Sequence, residues 1–330
     1  MRETIEKLID EDFNGAVLVK KDGVKIFEQA LGYRDLPNEV PNEVETKFAT
    51  ASAGKVFVAI GVLQLVEQGK LSLEDTIGEL LAMDLKQIDP KITVAQLLTH
   101  TSGIPDYFDE SVMENYADLW EDFPNYNVRT SADLLPLFID KEMAYAPGEK
   151  FQYNNTGFVV LGLIIEAVTK MPFDVYLQRA VFEPADMKDT GYYELDRLPK
   201  NCASNYVWDE EREEFYTNIF SVDAKGTGAG GAFTTVLDIE KLWDNMFNGK
   251  LLSDEMVAKM VSVQASDDDD KYGYGIWLTD GGEPWFQGFD PGVSFYSSYD
   301  RVSKLMVVAI SNTGDNVWEI GDQIEDGMGK

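Results

Sequence analysis

The sequence of 330 residues predicts an α/β protein of the α+β kind, with one antiparallel sheet built from both chain ends and helices inserted between them. Three observations predict it. Near the N-terminus, "NGAVLVKKDGVKIFEQALGY" (14–33) is two strand-like runs joined at Lys21-Asp22-Gly23, a strong hairpin signal. From about Tyr272, short aromatic and β-branched runs ("YGYGIWLTD", "GVSFYSSYD", "KLMVVAISN") alternate with turn residues, as antiparallel strands do. Between these ends the pattern is mostly helical, so the terminal strands have each other as partners. The expected layout is a single domain over 1–330, with the α/β part at about 1–75 and 225–330 and the helical insertion at about 76–224. No internal repeat or Pro/Ser-rich linker divides it.

The elements follow in order. Residues 52–70 read as a helix that opens on Ser52 and has Gly69 near its end. It is apolar nearly all round (Val56, Phe57, Val58, Ile60, Val62, Leu63, Leu65, Val66), so it is expected to be buried. Further helices are expected at 93–100, 130–140, 155–170, 172–182 and 235–247, several with Ser, Thr or Asn in capping position. A last helix is expected at about 315–326.

Charge narrows the function. The chain carries 59 acidic against 28 basic residues, a formal charge of −31, which repels phosphate backbones and anionic lipid. Nucleic acid and membrane surfaces are therefore not expected as partners. Cys202 is the single cysteine, so no intrachain disulfide forms. "SDDDDK" (266–271) lacks the Gly and distal Glu of a calcium loop and reads as a solvated turn. The first residues have no apolar h-region, which points to the cytoplasm unless an export signal was trimmed. Apolar stretches such as "FVVLGLII" are far shorter than a membrane span.

His100 is the only histidine, and no Gly-x-Ser-x-Gly elbow is present, which speaks against a Ser-His-Asp hydrolase. The same scarcity of His and Cys speaks against a zinc hydrolase, so no metal or organic cofactor is expected. Ser52 and Lys55 offer different chemistry. A serine in the first turn of a helix sits near free backbone N–H groups, and a lysine three residues on shares its face. A neutral amine there can take the serine proton. With 15 serines and 21 lysines, about one Ser-x-x-Lys arises by chance, and taken alone a helix-capping serine explains it better than a nucleophile does.

The flanks change that balance. "FNGAVLVKKDGVKIFEQALGYRD", "KFATASAGKVFVAIGVLQLVEQGKLSLEDTI", "ITVAQLLTHTSGIPDY", "APGEKFQYNNTGFVVLGLIIEAVT", "DMKDTGYY", "GTGAGGAFTTVLDIEKLW" and "YGYGIWL" run in one order over roughly residues 13–312. In this the chain resembles the serine β-lactamase and penicillin-binding-protein-like hydrolases, most closely the class C β-lactamase, D-alanyl-D-alanine carboxypeptidase and family VIII esterase branch. The resemblance implies the β-lactamase/transpeptidase-like fold and an acyl-enzyme on Ser52. It also implies a small-molecule ester, β-lactam or peptide substrate, and leaves the oligomeric state open.

It further implies roles for specific residues. Of two Tyr-x-Asn candidates, Tyr153-Asn154-Asn155 and Tyr216-Thr217-Asn218, only the first stands before a long apolar helix, as the family has it. Tyr153 would share the serine proton with Lys55 as general base or shuttle. Asn155 would bond Lys55 or the substrate amide, or cap the helix. The third motif departs from the family. Where it carries Lys-Thr-Gly or His-x-Gly, this chain has Phe286-Gln287-Gly288. The missing cation removes a charge-assisted hydrogen bond to a substrate carboxylate, worth about 1.5–3 kcal/mol, so neutral acyl substrates are favoured. The Phe289 N–H would still complete an oxyanion hole with that of Ser52.

Residues 106–126, "DYFDESVMENYADLWEDFPNY", carry seven acids, six aromatics and no Lys or Arg. They read either as a solvated loop or as an acidic roof over the cleft, with Asp109, Glu110 and Glu114 selecting neutral or cationic substrates. The alternative to an enzyme is a catalytically weak or inactive penicillin- or peptide-binding protein of the same fold.

Overall fold

The structure is a computed structural model that describes residues 5–7, 9, 12–113 and 115–328. An eight-stranded antiparallel sheet forms its centre. In chain order the strands are β1 (Gly15–Lys21), β2 (Val24–Leu31), β3 (Ala265–Ser266), β4 (Lys271–Tyr272), β5 (Trp277–Leu278), β6 (Pro284–Asp290), β7 (Val293–Asp300) and β8 (Leu305–Ser311). Across the sheet they run β2-β1-β8-β7-β6-β5-β4-β3. The chain ends thus pair directly: Gly15 opposes Ser311 and Lys21 opposes Leu305.

Both faces of the sheet are covered, so Ala16–Val19 of β1 and Leu305–Ile310 of β8 are apolar on both faces. In β8, Met306, Val308 and Ile310 enter the larger core, while Val307 and Ala309 enter a smaller one. This split is the two-residue alternation of a strand. Helices α1 (Lys55–Glu67), α2 (Asn155–Thr169) and α3 (Val236–Phe247) contribute to the larger core, and α4 (Val317–Gly327) closes the smaller one with Val317 and Ile324. Every residue of α1 from Val56 to Leu65 is buried, as its apolar circumference requires.

The differences from expectation are local. The helix expected from Ser52 begins as a 3-10 turn, Ala51–Gly54, and becomes α-helical only at Lys55. Residues 130–140 hold a 3-10 stretch, Ser131–Leu137, because Pro136 has no N–H to continue an α-helix. Between 76 and 224 the one long helix is α2. The expected helix at 172–182 is present as Phe173–Leu177 continued by Gln178–Phe182, that at 93–100 shortens to Val94–Leu98, and Tyr206–Asp209 pairs with Glu214–Thr217 as a hairpin; much of the rest is turns, with prolines such as Pro90, Pro105, Pro124 and Pro147. No helix among the described residues is long and apolar enough to cross a membrane.

Candidate functional site

Ser52 lies where the chain turns from the short strand Phe48–Ala49 into α1. The turn is strained: Ala51 has φ of 45°, a left-handed conformation that costs a non-glycine residue roughly 1–3 kcal/mol. Neighbouring backbone holds it in place. Gly231 N–H donates to Ala51 O at 3.0 Å, and Thr50 N–H donates to Ala232 O at 2.8 Å. A Cβ on Gly230 would lie 2.4 Å from Ala51 O, so the glycines of "GTGAGG" let one backbone press against another. Ser52 does not cap the helix: Gly54 stands at the cap, and no side chain bonds there.

Lys55 is 3% exposed, and its Nζ makes three contacts: Ser52 Oγ at 2.9 Å, Asn155 Oδ1 at 2.8 Å and Ala229 O at 2.5 Å. Burial pushes its pKa down to about 8, against the opposing pull of Glu110, Asp106 and Asp290. A neutral amine would keep its two N–H groups on Asn155 and Ala229, which only accept. Its lone pair would then face the Ser52 hydroxyl.

Tyr153 completes this group. Its ring lies 5.0 Å from Lys55 Nζ, stacks on Trp277 at 5.8 Å and 16°, and its hydroxyl hydrogen-bonds with Ser52. Burial first, then Glu110 and Tyr272, hold the phenol well above its usual range, so it stays protonated near neutrality. Asn155 does not cap α2. Asn154 does, its Oδ1 accepting from Gly157 N–H at 2.8 Å. Asn155 is thereby free to hold Lys55, while its Nδ2 donates to Phe108 O at 3.2 Å and Glu110 Oε1 at 3.1 Å.

His100 packs against Tyr153. Its ring is 4.5 Å from that of Tyr153, and its Nδ1 accepts from Asn154 N–H at 3.1 Å. It is 1% exposed, and burial keeps it neutral with a pKa well below the usual range. It braces the loop that carries Tyr153.

Strand β6 forms the opposite wall. The turn Pro291–Gly292 makes Asp290 and Val293 a paired rung, so Gly288 and Phe286 bond toward β7 while Phe289 and Gln287 direct their N–H groups away from it. A Cβ on Gly288 would lie 2.1 Å from Thr50 O and 2.9 Å from Ser52 N, which places β6 hard against the serine turn. Gln287, Gly288 and Phe289 line the cleft, but Phe286 does not. Phe286 is 3% exposed and packs on Trp243 at 5.2 Å and Phe295 at 5.6 Å. The expectation that it contacts substrate is therefore corrected: strand alternation turns it into the core. The second Tyr-x-Asn is split, with Tyr216 exposed and Asn218 lining the cleft.

The cleft encloses about 630 Å³. Residues 106–126 do overhang it, through Tyr107, Phe108, Glu110, Met113, Asn115 and Tyr116. Asp109 instead binds Ser111, and Glu114 lies outside the described residues. Three buried or cleft-facing acids escaped the sequence reading. Asp106 accepts from the Asn155 and Thr156 N–H groups at 2.7 and 3.0 Å, and burial pushes it up to about 6. Asp223 accepts from Tyr116 at 3.0 Å and is pushed up to about 7 by burial. Asp290 is pushed up to about 8 by burial and then by Asp223. Asp290 is the last residue of the third-motif strand, a signal that could have been read. Asp223 had no local signal. Among the described residues no cluster of His, Cys, Asp and Glu could hold a metal ion.

A sheet joined from both chain ends, with a serine turn and a buried lysine at its edge, has the β-lactamase/transpeptidase-like fold. The chain belongs to the Beta-lactamase family, whose model matches residues 1–322. The penicillin-binding protein from Bacillus halodurans is 37% identical in sequence and superposes with a TM-score of 0.93, over 98% of this chain and 99% of that one. The putative penicillin-binding protein PbpX of Bacillus subtilis (strain 168) is 26% identical over 304 residues, 92% of this chain and 72% of the relative. Penicillin-binding protein 4* of the same organism is 29% identical over 208 residues, 62% of this chain. The match spans only 44% of that relative's length.

Proposed function

We propose that the protein is a serine hydrolase that cleaves an ester or amide through an acyl-enzyme on Ser52. The observation that carries this reading is the Lys55 amine, buried, 2.9 Å from Ser52 Oγ and with its other contacts on pure acceptors. Lys55 takes the Ser52 proton as Oγ attacks the carbonyl carbon. The oxyanion that forms is held by the N–H groups of Ser52 and Phe289. Tyr153, protonated in the resting site, then donates its proton to the leaving oxygen or nitrogen as the carbon–leaving-group bond breaks, and Lys55 replenishes it. Tyr153 therefore acts as shuttle rather than as resting base. Asn155 orients Lys55. Water, giving its proton to the same pair, releases the acyl group.

The substrate class follows from β6. Phe286, at the position where the resemblance implies a cation, is buried in the core, and the cleft-facing residue beside it is the neutral Gln287, so nothing on this strand neutralises a carboxylate. Esters or amides without a carboxylate beside the scissile bond suit the cleft better than β-lactams do. The test compares wild type with Ser52→Ala on a short-chain nitrophenyl ester and a chromogenic cephalosporin. Ester turnover that vanishes in Ser52→Ala, with little cephalosporin turnover, is expected. Ester turnover that survives in Ser52→Ala would overturn the assignment. No turnover by wild type, with reversible ligand binding unchanged in Ser52→Ala, would replace it with a binding protein.

A further inference from the structure

Tyr153 has to aim one hydroxyl at Ser52, at Lys55 and at a leaving group, yet it sits on a stretch, 150–154, without helix or strand. Backbone contacts hold that stretch: Gln152 N–H donates to His100 O at 3.0 Å, and Asn154 N–H donates to His100 Nδ1 at 3.1 Å. They leave the tilt of the ring to be set by the rings around it. The hydroxyl is the far end of a rigid side chain, so a small tilt carries it out of line. A misplacement of about 1 Å in a catalytic site can cost 10²-fold in rate.

Trp277 supplies the missing constraint. It lines the cleft, and its indole stacks on the Tyr153 ring at 5.8 Å and 16°. Three further rings fix the indole: Tyr272 at 4.7 Å and 84°, Phe151 at 6.1 Å and 86°, and Trp285 at 5.7 Å and 24°. Trp285 is the residue opposite Trp277 in the β5–β6 pair, on the strand that also carries Phe289. It does not line the cleft. Instead it packs on Tyr296 at 6.1 Å, whose hydroxyl donates to Glu325 Oε1 at 2.8 Å. The chain entering β5 is registered against α1. Gly275, with φ of 72°, donates its N–H to Leu98 O at 3.0 Å, and a Cβ there would lie 2.2 Å from Ala59 Cβ. Ala59 stands about one turn beyond Lys55 on α1. One indole is thus fixed against the helix of the base, the strand of the oxyanion wall and the tyrosine between them.

We propose that Trp277 is a positioning residue for proton delivery, its stack holding the Tyr153 hydroxyl on the leaving group and Trp285 buttressing it from outside the cleft; this rests on the hydrolase reading of Ser52. In that step the carbon–oxygen bond to the leaving group breaks and its electron pair goes to the leaving oxygen. The Tyr153 O–H proton bonds to that oxygen, and the Lys55 ammonium returns a proton to the phenolate. Nitrophenolate departs without the proton, whereas an alkoxide needs it. Loss of the indole therefore slows esters unevenly, and a residue that only fills space has no reason to do so.

The experiment measures kcat/KM on nitrophenyl, phenyl and trifluoroethyl acetate, whose leaving groups rise in basicity in that order. All three give the same acetyl-enzyme, and kcat/KM reports its formation. Trp277→Leu is expected to slow trifluoroethyl acetate about 10-fold more than nitrophenyl acetate, with most of the difference restored in Trp277→Phe. Trp285→Leu should show the same bias without touching substrate. In Tyr153→Phe, which has no phenol proton to place, adding Trp277→Leu should add no bias. Equal losses on all three esters in Trp277→Leu or in Trp285→Leu overturn the inference. So does a bias that persists in the Tyr153→Phe background, or a wild type confined to nitrophenyl acetate. Thermal unfolding verifies each variant, and Trp285→Leu carries the comparison if Trp277→Leu does not fold. Release of nitrophenol by wild type and not by Ser52→Ala reports separately on the hydrolase reading. Its absence overturns that reading and this inference together, whereas an unbiased loss overturns this inference alone.

Discussion

If Lys55 is the base that takes the Ser52 proton, acylation must follow the fraction of Lys55 that is neutral. An exposed lysine titrates near 10.4 and would be almost wholly charged at pH 8. Burial brings Lys55 down to about 8. The neutral fraction is then about one tenth at pH 7 and about nine tenths at pH 9, so kcat/KM should rise roughly 9-fold over that interval. Three carboxylates oppose the shift: Glu110, Asp106 and Asp290. Asp290, itself pushed up to about 8, gains charge in the same window and should broaden the curve. Asp290→Asn removes that opposition, so the midpoint should fall and the rise should sharpen. His100, buried and held neutral well below its usual range, should add no inflection near pH 6.5. The assay is the initial rate on a nitrophenyl ester from pH 6 to 10, with the Ser52→Ala rate subtracted at each pH. A flat profile, or one that falls as pH rises through 8, would refute the neutral-lysine account.

Other perturbations follow from the same contacts. Phe286→Lys places an ammonium between Trp243 and Phe295; it should cost on the order of 3 kcal/mol or more in urea unfolding and should not improve hydrolysis of carboxylate-bearing β-lactams. Gly288→Ala drives a Cβ to 2.1 Å from Thr50 O, which must shift the oxyanion wall; kcat should fall by about 10²-fold or more, measured on the ester. His100→Ala leaves the Asn154 N–H without its acceptor and loosens Tyr153; kcat/KM should drop by about 10-fold while the pH midpoint stays unchanged. Asp106, Asp223 and Asp290 all titrate higher when folded than when unfolded, so the folded chain holds extra protons between about pH 4 and 8. The stability they contribute is complete below about pH 4 and is lost as pH rises through 6 to 8. Urea midpoints should therefore fall between about pH 4 and 8, and Asp290→Asn should flatten the upper end of that fall.

The fold was legible because its signals are local. The Lys21-Asp22-Gly23 hairpin, the nearly all-apolar run 56–66 and the aromatic strands near the C-terminus each announce an element: the strands join one sheet and the run forms the buried α1. What was not legible depends on small geometric facts. The identity of residue 286 suggested a cleft aromatic, but the direction of its side chain follows from which face of β6 meets Trp243. Asn155 reads in sequence as a helix cap or as a partner of Lys55, and the structure gives the cap to Asn154 and Lys55 to Asn155. The strain at Ala51 needs the glycines of residues 226–231, which are adjacent only after folding. Asp223 and Asp290, which line one cleft, come from separate segments, and no spacing rule links them.

The most direct test of the central claim is intact-mass and peptide mapping after brief exposure to an acylating probe, a fluorophosphonate or an activated ester quenched in acid. The account predicts a single adduct on the peptide containing Ser52. That adduct should be absent in Ser52→Ala and slow to form in Lys55→Met. A folded wild-type protein that gains no adduct with any probe, or gains one on a residue other than Ser52, would contradict it.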